Sequence, residues 1–209
     1  MTCPSPLAWR VYLVTDRTQT AGRALPDVVA AALRGGARAV QLRERGLETR
    51  ELLALAEHLR RLTREAGAAL LINDRIDVAL ACDADGVQLP ESSFSVSDAR
   101  ALLGPKRLIG VSIHSTTSFA AAAASGADFA VLGPVYDTPS KRQFGAPLGV
   151  DAFAAARAAA RLPLFAIGGV DLDRVAAVHH AGADGIAVIR AVLAADDPEQ
   201  AARSLLALW

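Results

Sequence analysis

The hydrophobic positions of this chain fall into eight short apolar runs, separated by longer segments whose apolar residues recur every three to four positions. The runs cover 10–15, 39–43, 69–73, 86–89, 108–112, 129–133, 164–167 and 185–189, each about the length of a buried strand. Helical spacing fills the gaps near 26–35, 48–66, 75–82, 96–103, 116–125, 150–161 and 171–181, and a last helix is expected near 197–208. Gly36-Ala37-Arg38, Gly126-Ala127-Asp128 and Gly182-Ala183-Asp184 repeat one signal, a helix ending at a glycine and turning into the next strand. Eight β-then-α units in about 200 residues predict an α/β fold, a single (β/α)8 TIM barrel over 1–209 with 1–9 as a short N-terminal tail. A doubly wound open sheet is the competing reading, but its glycine signature is missing after the first run.

Composition narrows the class. The 209 residues are 52% hydrophobic and 21% charged, with a formal net charge of zero. That suits one domain with a substantial core and gives no basic field for nucleic acid. No apolar stretch approaches the roughly 20 residues of a membrane span. The start, MTCPSPLAWR, lacks the basic-then-apolar order of a signal peptide. Cys3 and Cys82 form neither a metal spacing nor a disulfide framework. A cytoplasmic enzyme or binding protein is expected, with no nucleic acid or membrane partner and a homo-oligomer left open.

In a barrel of this kind, chemistry sits at the C-terminal ends of the strands. There the chain places Thr15-Asp16-Arg17, then Gln41, Arg43 and Arg45, Asn73-Asp74-Arg75, Gln88, Ser112 and His114. Thr138-Pro139-Ser140-Lys141 follow the sixth run, Gly168-Gly169 the seventh and Arg190 the eighth. Alternation puts Gln41, Arg43 and Arg45 on one face. So many donors at one rim suit an anionic ligand. Gly168-Gly169, read alone, is a tight turn; after a seventh strand it becomes a candidate phosphate site, completed by Ile189 and Arg190.

The segments YLVTDR, VQLRER, LLINDR, ADGVQLPE, IGVSIHS, VLGPVYDTPSK, FAIGGV and GADGIAVI, in this order, resemble the thiamine phosphate synthase and thiazole tautomerase superfamily from about Val11 to Arg203. The resemblance implies a TIM barrel of thiamin biosynthesis that handles a carboxylated thiazole phosphate. The synthase joins that thiazole to hydroxymethylpyrimidine diphosphate and releases pyrophosphate with Mg²⁺; the tautomerase only moves protons to give the aromatic isomer. By position, Gln41, Arg43, Arg45, Asn73, Ser112 and Lys141 match synthase residues around the pyrimidine diphosphate. Thr138, Ser140, Gly169, Ile189 and Arg190 match those around the thiazole phosphate.

Three departures from the synthase pattern rank the branches. Arg45 stands where the pattern has Lys, and Arg190 where it has Ser. Asp74 matches the first of two magnesium aspartates, but the second position is Ser93, with Glu91 nearby as a candidate substitute. Losing a carboxylate removes a full charge from a hard cation's shell. The expectation is therefore a thiazole tautomerase, an isomerase needing no cofactor, with the synthase second and a catalytically silent phosphate-ligand-binding barrel third. Mg²⁺, through Asp74, belongs to the synthase alternative. In the tautomerase His114 is the proton carrier, since imidazole titrates near neutrality; the alternative for His114 is a rim histidine bonded to a backbone carbonyl. His58, His179 and His180 read as solvated or capping residues, and Cys82 as a small buried hydrophobe.

Overall fold

In the computed structural model, which describes residues 8–138, 146–159 and 161–209, the apolar runs become eight parallel strands. β1 (Val11–Val14), β2 (Ala39–Leu42), β3 (Ala69–Asn73), β4 (Gly86–Leu89), β5 (Leu108–Ile113), β6 (Phe129–Leu132), β7 (Leu164–Ile167) and β8 (Gly185–Val188) pair in sequence order. β8 returns to β1 through the register Val11↔Ile186, so the sheet closes and the open-sheet reading falls. Around it run α1 (Leu25–Arg34), α2 (Thr49–Glu65), α3 (Ile76–Ala81), α4 (Val96–Leu103), α5 (Thr116–Ala124), α6 (Gly149–Ala159), α7 (Val175–His180), α8 (Arg190–Leu193) and α9 (Pro198–Ala207).

Two helices differ from the pattern. α7 starts at Val175 rather than near 171, because the Asp171 carbonyl accepts from the amides of Arg174 and Val175 and closes a turn first. α8 is a short extra helix after β8, a single turn that hydrophobic periodicity cannot register.

Strand alternation sorts the side chains into two sets. Val40 and Leu42, Leu70 and Ile72, and Ile186 and Val188 face the helices and join the larger core. The alternate set, including Tyr12, Val14, Ala39, Leu71, Phe129, Val131, Phe165 and Ala187, fills the barrel interior. Aromatic rings provide the bulk: Tyr12, Phe129 and Phe165 meet edge to face at 5.7–6.1 Å. Glycines on neighbouring strands make the room. A Cβ on Gly110 would lie 2.2 Å from Phe129, and one on Gly185 would lie 2.4 Å from Phe165. Trp9, counted above with the tail, is fully buried and packs 5.5 Å from Phe129. It is the plug at the bottom of the barrel.

The Gly-Ala-Asp signal does more than end a helix. Asp128 and Asp184 of this signal, and Asp85 at the matching place in Asp83-Ala84-Asp85, each accept a backbone N–H at the start of the preceding strand, from Ile109, Leu164 and Leu70. Each also pairs with an arginine from a surrounding helix: Arg60 on α2, Arg100 on α4 and Arg157 on α6. These carboxylates stitch the N-terminal face of the barrel and leave the opposite rim for chemistry.

Candidate active site

Following the inward-facing positions upward, several strands end in a polar or glycine residue at the C-terminal rim. β2 passes from Ala39 through Gln41 to Arg43, β3 from Leu71 to Asn73, and β5 from Gly110 through Ser112 to His114. Arg43 is half buried, and Arg45 is exposed. Burial and the neighbouring Arg45 charge both lower the Arg43 pKa from its ordinary value, while Asp16 and Glu44 oppose that shift. A guanidinium stays charged under such a shift. Among the described residues no hydrogen bond or ion pair holds the Arg43 guanidinium.

The nearby carboxylates are already engaged. Glu44 accepts from the Arg17 backbone amide at 3.1 Å. Asp16 caps the short turn after β1, accepting from Thr18 and Gln19. Burial pushes the Asp16 carboxyl up, but those hydrogen bonds and the Arg43 charge together bring it below its usual value. The rim therefore keeps two adjacent cations whose acidic neighbours have other tasks.

A cleft of about 180 Å³ opens beside this pair, lined by Arg43, Arg45, Asn73, Asp74 and Arg75. Arg75 turns away, in a fork to Asp77 at 2.6 and 2.8 Å. Asp74 is exposed, sits at φ 66° and accepts a hydrogen bond from the Ser93 hydroxyl. Glu91, the candidate substitute, instead accepts from Ser118 at 2.9 Å. A larger depression of about 490 Å³, lined by Arg157, Ala158, Ala159 and Arg161, lies at the end of α6 and carries none of these residues.

Beneath the rim, Gln41 and Gln88 are buried, at 4% and 1% exposure. Gln88 bonds Ser112 and the Tyr12 hydroxyl, and Gln41 bonds Tyr12 from the other side. Burial, eased only by the Gln41 bond, raises the Tyr12 phenol far above its ordinary pKa, so it stays protonated. Tyr12 was missed by sequence reasoning. Its place in the inward alternation was the available signal, and it was masked by Tyr being an ordinary strand residue.

On the phosphate side, Gly168 and Gly169 adopt φ 95° and 66°. A Cβ on Gly168 would lie 2.6 Å from Pro134, and one on Gly169 would lie 2.8 Å from Tyr136, so both the turn and its close approach to the loop after β6 need glycine. Backbone bonds brace it: Val135 N–H to the Ile167 carbonyl and Tyr136 N–H to the Gly168 carbonyl, at 2.8 and 3.0 Å. The β7–β8 register, Ile167↔Ala187, sets this turn beside Val188 and Ile189. Arg190, exposed, begins α8 there. Thr138 is half buried at the edge of the loop after β6; Ser140 and Lys141 lie outside the described residues. His114 is exposed, and its Nδ1–H donates to the Gly133 carbonyl at 2.9 Å.

Comparison with known proteins identifies this arrangement. The family described as Thiamine monophosphate synthase (TMP-TENI) matches residues 11–192. The thiamine-phosphate synthase of Chloroflexus aurantiacus is 47% identical over 200 residues, covering 96% of this chain and 92% of that protein. That of Roseiflexus sp. (strain RS-1) is 44% identical over 198 residues, covering 95% and 84%. Thiamine phosphate pyrophosphorylase from Pyrococcus furiosus superposes with a TM-score of 0.89 at 35% identity, covering 97% of this chain and 96% of that one.

These relatives overturn the tautomerase ranking and, with it, the isomerase assignment: they carry the synthase name, and a synthase is a transferase. The ranking erred on magnesium. A cation that arrives with a diphosphate is held by one or two carboxylates plus phosphate oxygens, so a serine at the second position is no ground for ranking the synthase below the tautomerase. From Val11 to Val192, through all eight strands of its barrel, the chain belongs to the thiamine monophosphate synthase family.

Proposed function

We propose that this chain is a thiamine-phosphate synthase, joining hydroxymethylpyrimidine diphosphate to a thiazole phosphate and releasing pyrophosphate. The observation that carries the reading is the Arg43–Arg45 pair, one guanidinium half buried and neither neutralised by a dedicated carboxylate. Two adjacent cations repel until an anion of high charge sits between them. A diphosphate is such an anion, and arginine's planar fork suits its oxygens.

The transfer breaks the bond between the pyrimidine methylene carbon and the diphosphate oxygen, whose electron pair leaves with pyrophosphate. The thiazole nitrogen supplies the new bond to that carbon. Negative charge therefore grows on the departing group, where Arg43, Arg45, Asn73 and, from the matched loop, Lys141 stabilise it. Gly168-Gly169, Ile189 and Arg190, with Thr138 and Ser140, hold the thiazole phosphate at the other side of the mouth, so both reactants are oriented before they meet. No proton leaves carbon in this transfer. His114 has no acid–base task in it, and its bond to Gly133 ties β5 to the end of β6.

Magnesium fits the donor set. Asp74 offers an exposed carboxylate at the cleft, and the Ser93 hydroxyl is already bonded to it. These two side chains would hold the ion. When bound, it neutralises part of the charge on the diphosphate.

The test is a pyrophosphate-release assay on purified protein. Release requiring hydroxymethylpyrimidine diphosphate, thiazole phosphate and Mg²⁺ together is expected; no release with all three present overturns the proposal.

A further inference from the structure

A chain of hydrogen bonds crosses the floor of the site and includes a residue with no task in the proposed chemistry. Gln41 Nε2 donates to the Tyr12 hydroxyl at 3.2 Å, Tyr12 donates to Gln88 Oε1 at 3.4 Å, and Gln88 Nε2 donates to Ser112 Oγ at 3.0 Å. It runs from β2 through β1 and β4 to β5, linking opposite sides of the barrel. Tyr12 is fully buried, and Gln88 and Gln41 are nearly so. Trp9, Phe129 and Phe165 surround the phenol, so it has little room to turn to other partners.

The chain has a direction. A phenol has one proton, so when Tyr12 donates to Gln88 it can only accept from Gln41. That orientation leaves Gln41 Oε1 as the amide atom not spent on Tyr12, an acceptor. It also makes Ser112 an acceptor toward Gln88, which frees the serine proton for a ligand. Reversal would flip every member: Ser112 would donate inward, and Gln41 would turn its NH₂ group away from Tyr12. The states at the two ends are therefore linked through one hydroxyl.

We propose that Tyr12 is a positioning residue that couples two halves of one ligand, so that an anion taking the Ser112 proton sets Gln41 to accept from an N–H of the attached heterocycle. This rests on the synthase reading, in which an aminopyrimidine carries the diphosphate. An anion at Ser112 needs a donor; the relay then fixes the acceptor state at Gln41. A ring with an amino group in that place is favoured, and one presenting an acceptor there meets a repelling oxygen. Selectivity for the heterocycle thus depends on occupation of the anion site. Coupling of this kind is reciprocal at equilibrium.

Calorimetry with the two halves as separate probes tests this: inorganic pyrophosphate, and hydroxymethylpyrimidine without its diphosphate, at fixed Mg²⁺. In the wild type, saturating pyrophosphate should tighten the pyrimidine about fivefold or more, within the usual span of coupling between sites. In Tyr12→Phe that ratio should fall to about one while each probe still binds. Gln88→Met breaks the relay at a second point and decides the matter if Tyr12→Phe does not fold. Phe153→Leu, which disturbs the helix-side core and leaves the rings around the phenol intact, should keep the wild-type ratio. A wild-type ratio near one, or a ratio undiminished in folded Tyr12→Phe or Gln88→Met, overturns the coupling and leaves the synthase reading standing. Failure of the wild type to bind either probe removes the ligand assignment and the coupling with it.

Discussion

Arg43 shows how one side chain can be costly to the fold and useful to the site. It is half buried beside a second cation, and the carboxylates within reach are held by backbone amides and a capped turn. Arg43→Met keeps the apolar stem and removes the charge. It should raise KM for the pyrimidine diphosphate about 10- to 100-fold, since hydrogen bonds to charged groups contribute about 1.5–3 kcal/mol. The melting temperature should hold or rise as the repulsion from Arg45 disappears. Arg43→Lys should recover only part of the loss, because an ammonium cannot form the two-pronged contact. Ser93→Asp puts a second carboxylate beside Asp74 and should lower the half-saturating Mn²⁺ concentration about tenfold, read by electron paramagnetic resonance of the bound ion. An unchanged Mn²⁺ titration would place Ser93 outside the metal's shell. Gln88 marks what a sequence hides at this scale. Alternation gives its inward face, but whether an inward residue lies at the mouth or one layer below depends on stagger between strands, which no local pattern encodes.

The elements divide their work between the two ends of the barrel. At the N-terminal face Asp85 binds both the Leu70 amide and Arg60, whose side chain is only 13% exposed. Asp85→Ala strands that guanidinium and an amide. It should cost about 3 kcal/mol, the low end for breaking a buried pair, measured by urea unfolding. KM for both substrates should be unchanged, as the damage lies at the end of the barrel away from the rim. The Gly168-Gly169 turn makes the converse prediction. Gly168→Ala forces a Cβ against Pro134 at a φ of 95°, so the loop after β6 must shift. KM for the thiazole phosphate should rise about tenfold while that for the pyrimidine diphosphate moves little. Equal changes in both would show that the turn is only scaffolding. The repeated Gly-Ala-Asp was legible as punctuation, and its glycines do end helices. The bonds of Asp128 and Asp184 to the preceding strand were not legible, because they join residues 19 and 20 positions apart.

Across the whole molecule the barrel was readable because one simple period recurs eight times, so an error in any single unit could not change the count. Trp9 escaped for the opposite reason: a lone aromatic before the first apolar run has no periodic neighbours, and only closure of the sheet creates the space it fills. The same closure buries two ionisable groups in their neutral form. Burial raises the Tyr12 phenol above its ordinary pKa and does the same to the Cys82 thiol. In the unfolded chain these groups ionise near about 10 and 8.5. A group whose pKa is raised by folding contributes its full stability below the unfolded value and loses it as pH climbs toward the folded value. Stability should therefore be level from neutral pH to about 8, decline as the unfolded thiol ionises, and steepen above about pH 10. Tyr12 alone should account for about 1.4 kcal/mol per pH unit in that last region. Urea midpoints at pH 7, 9 and 10.5 for wild type and Tyr12→Phe isolate its share, because the other titrating groups cancel in the difference. The gap between the two proteins should narrow by at least the phenol's contribution between pH 9 and 10.5. A gap that stays constant would mean that the phenol ionises as freely inside the barrel as outside it.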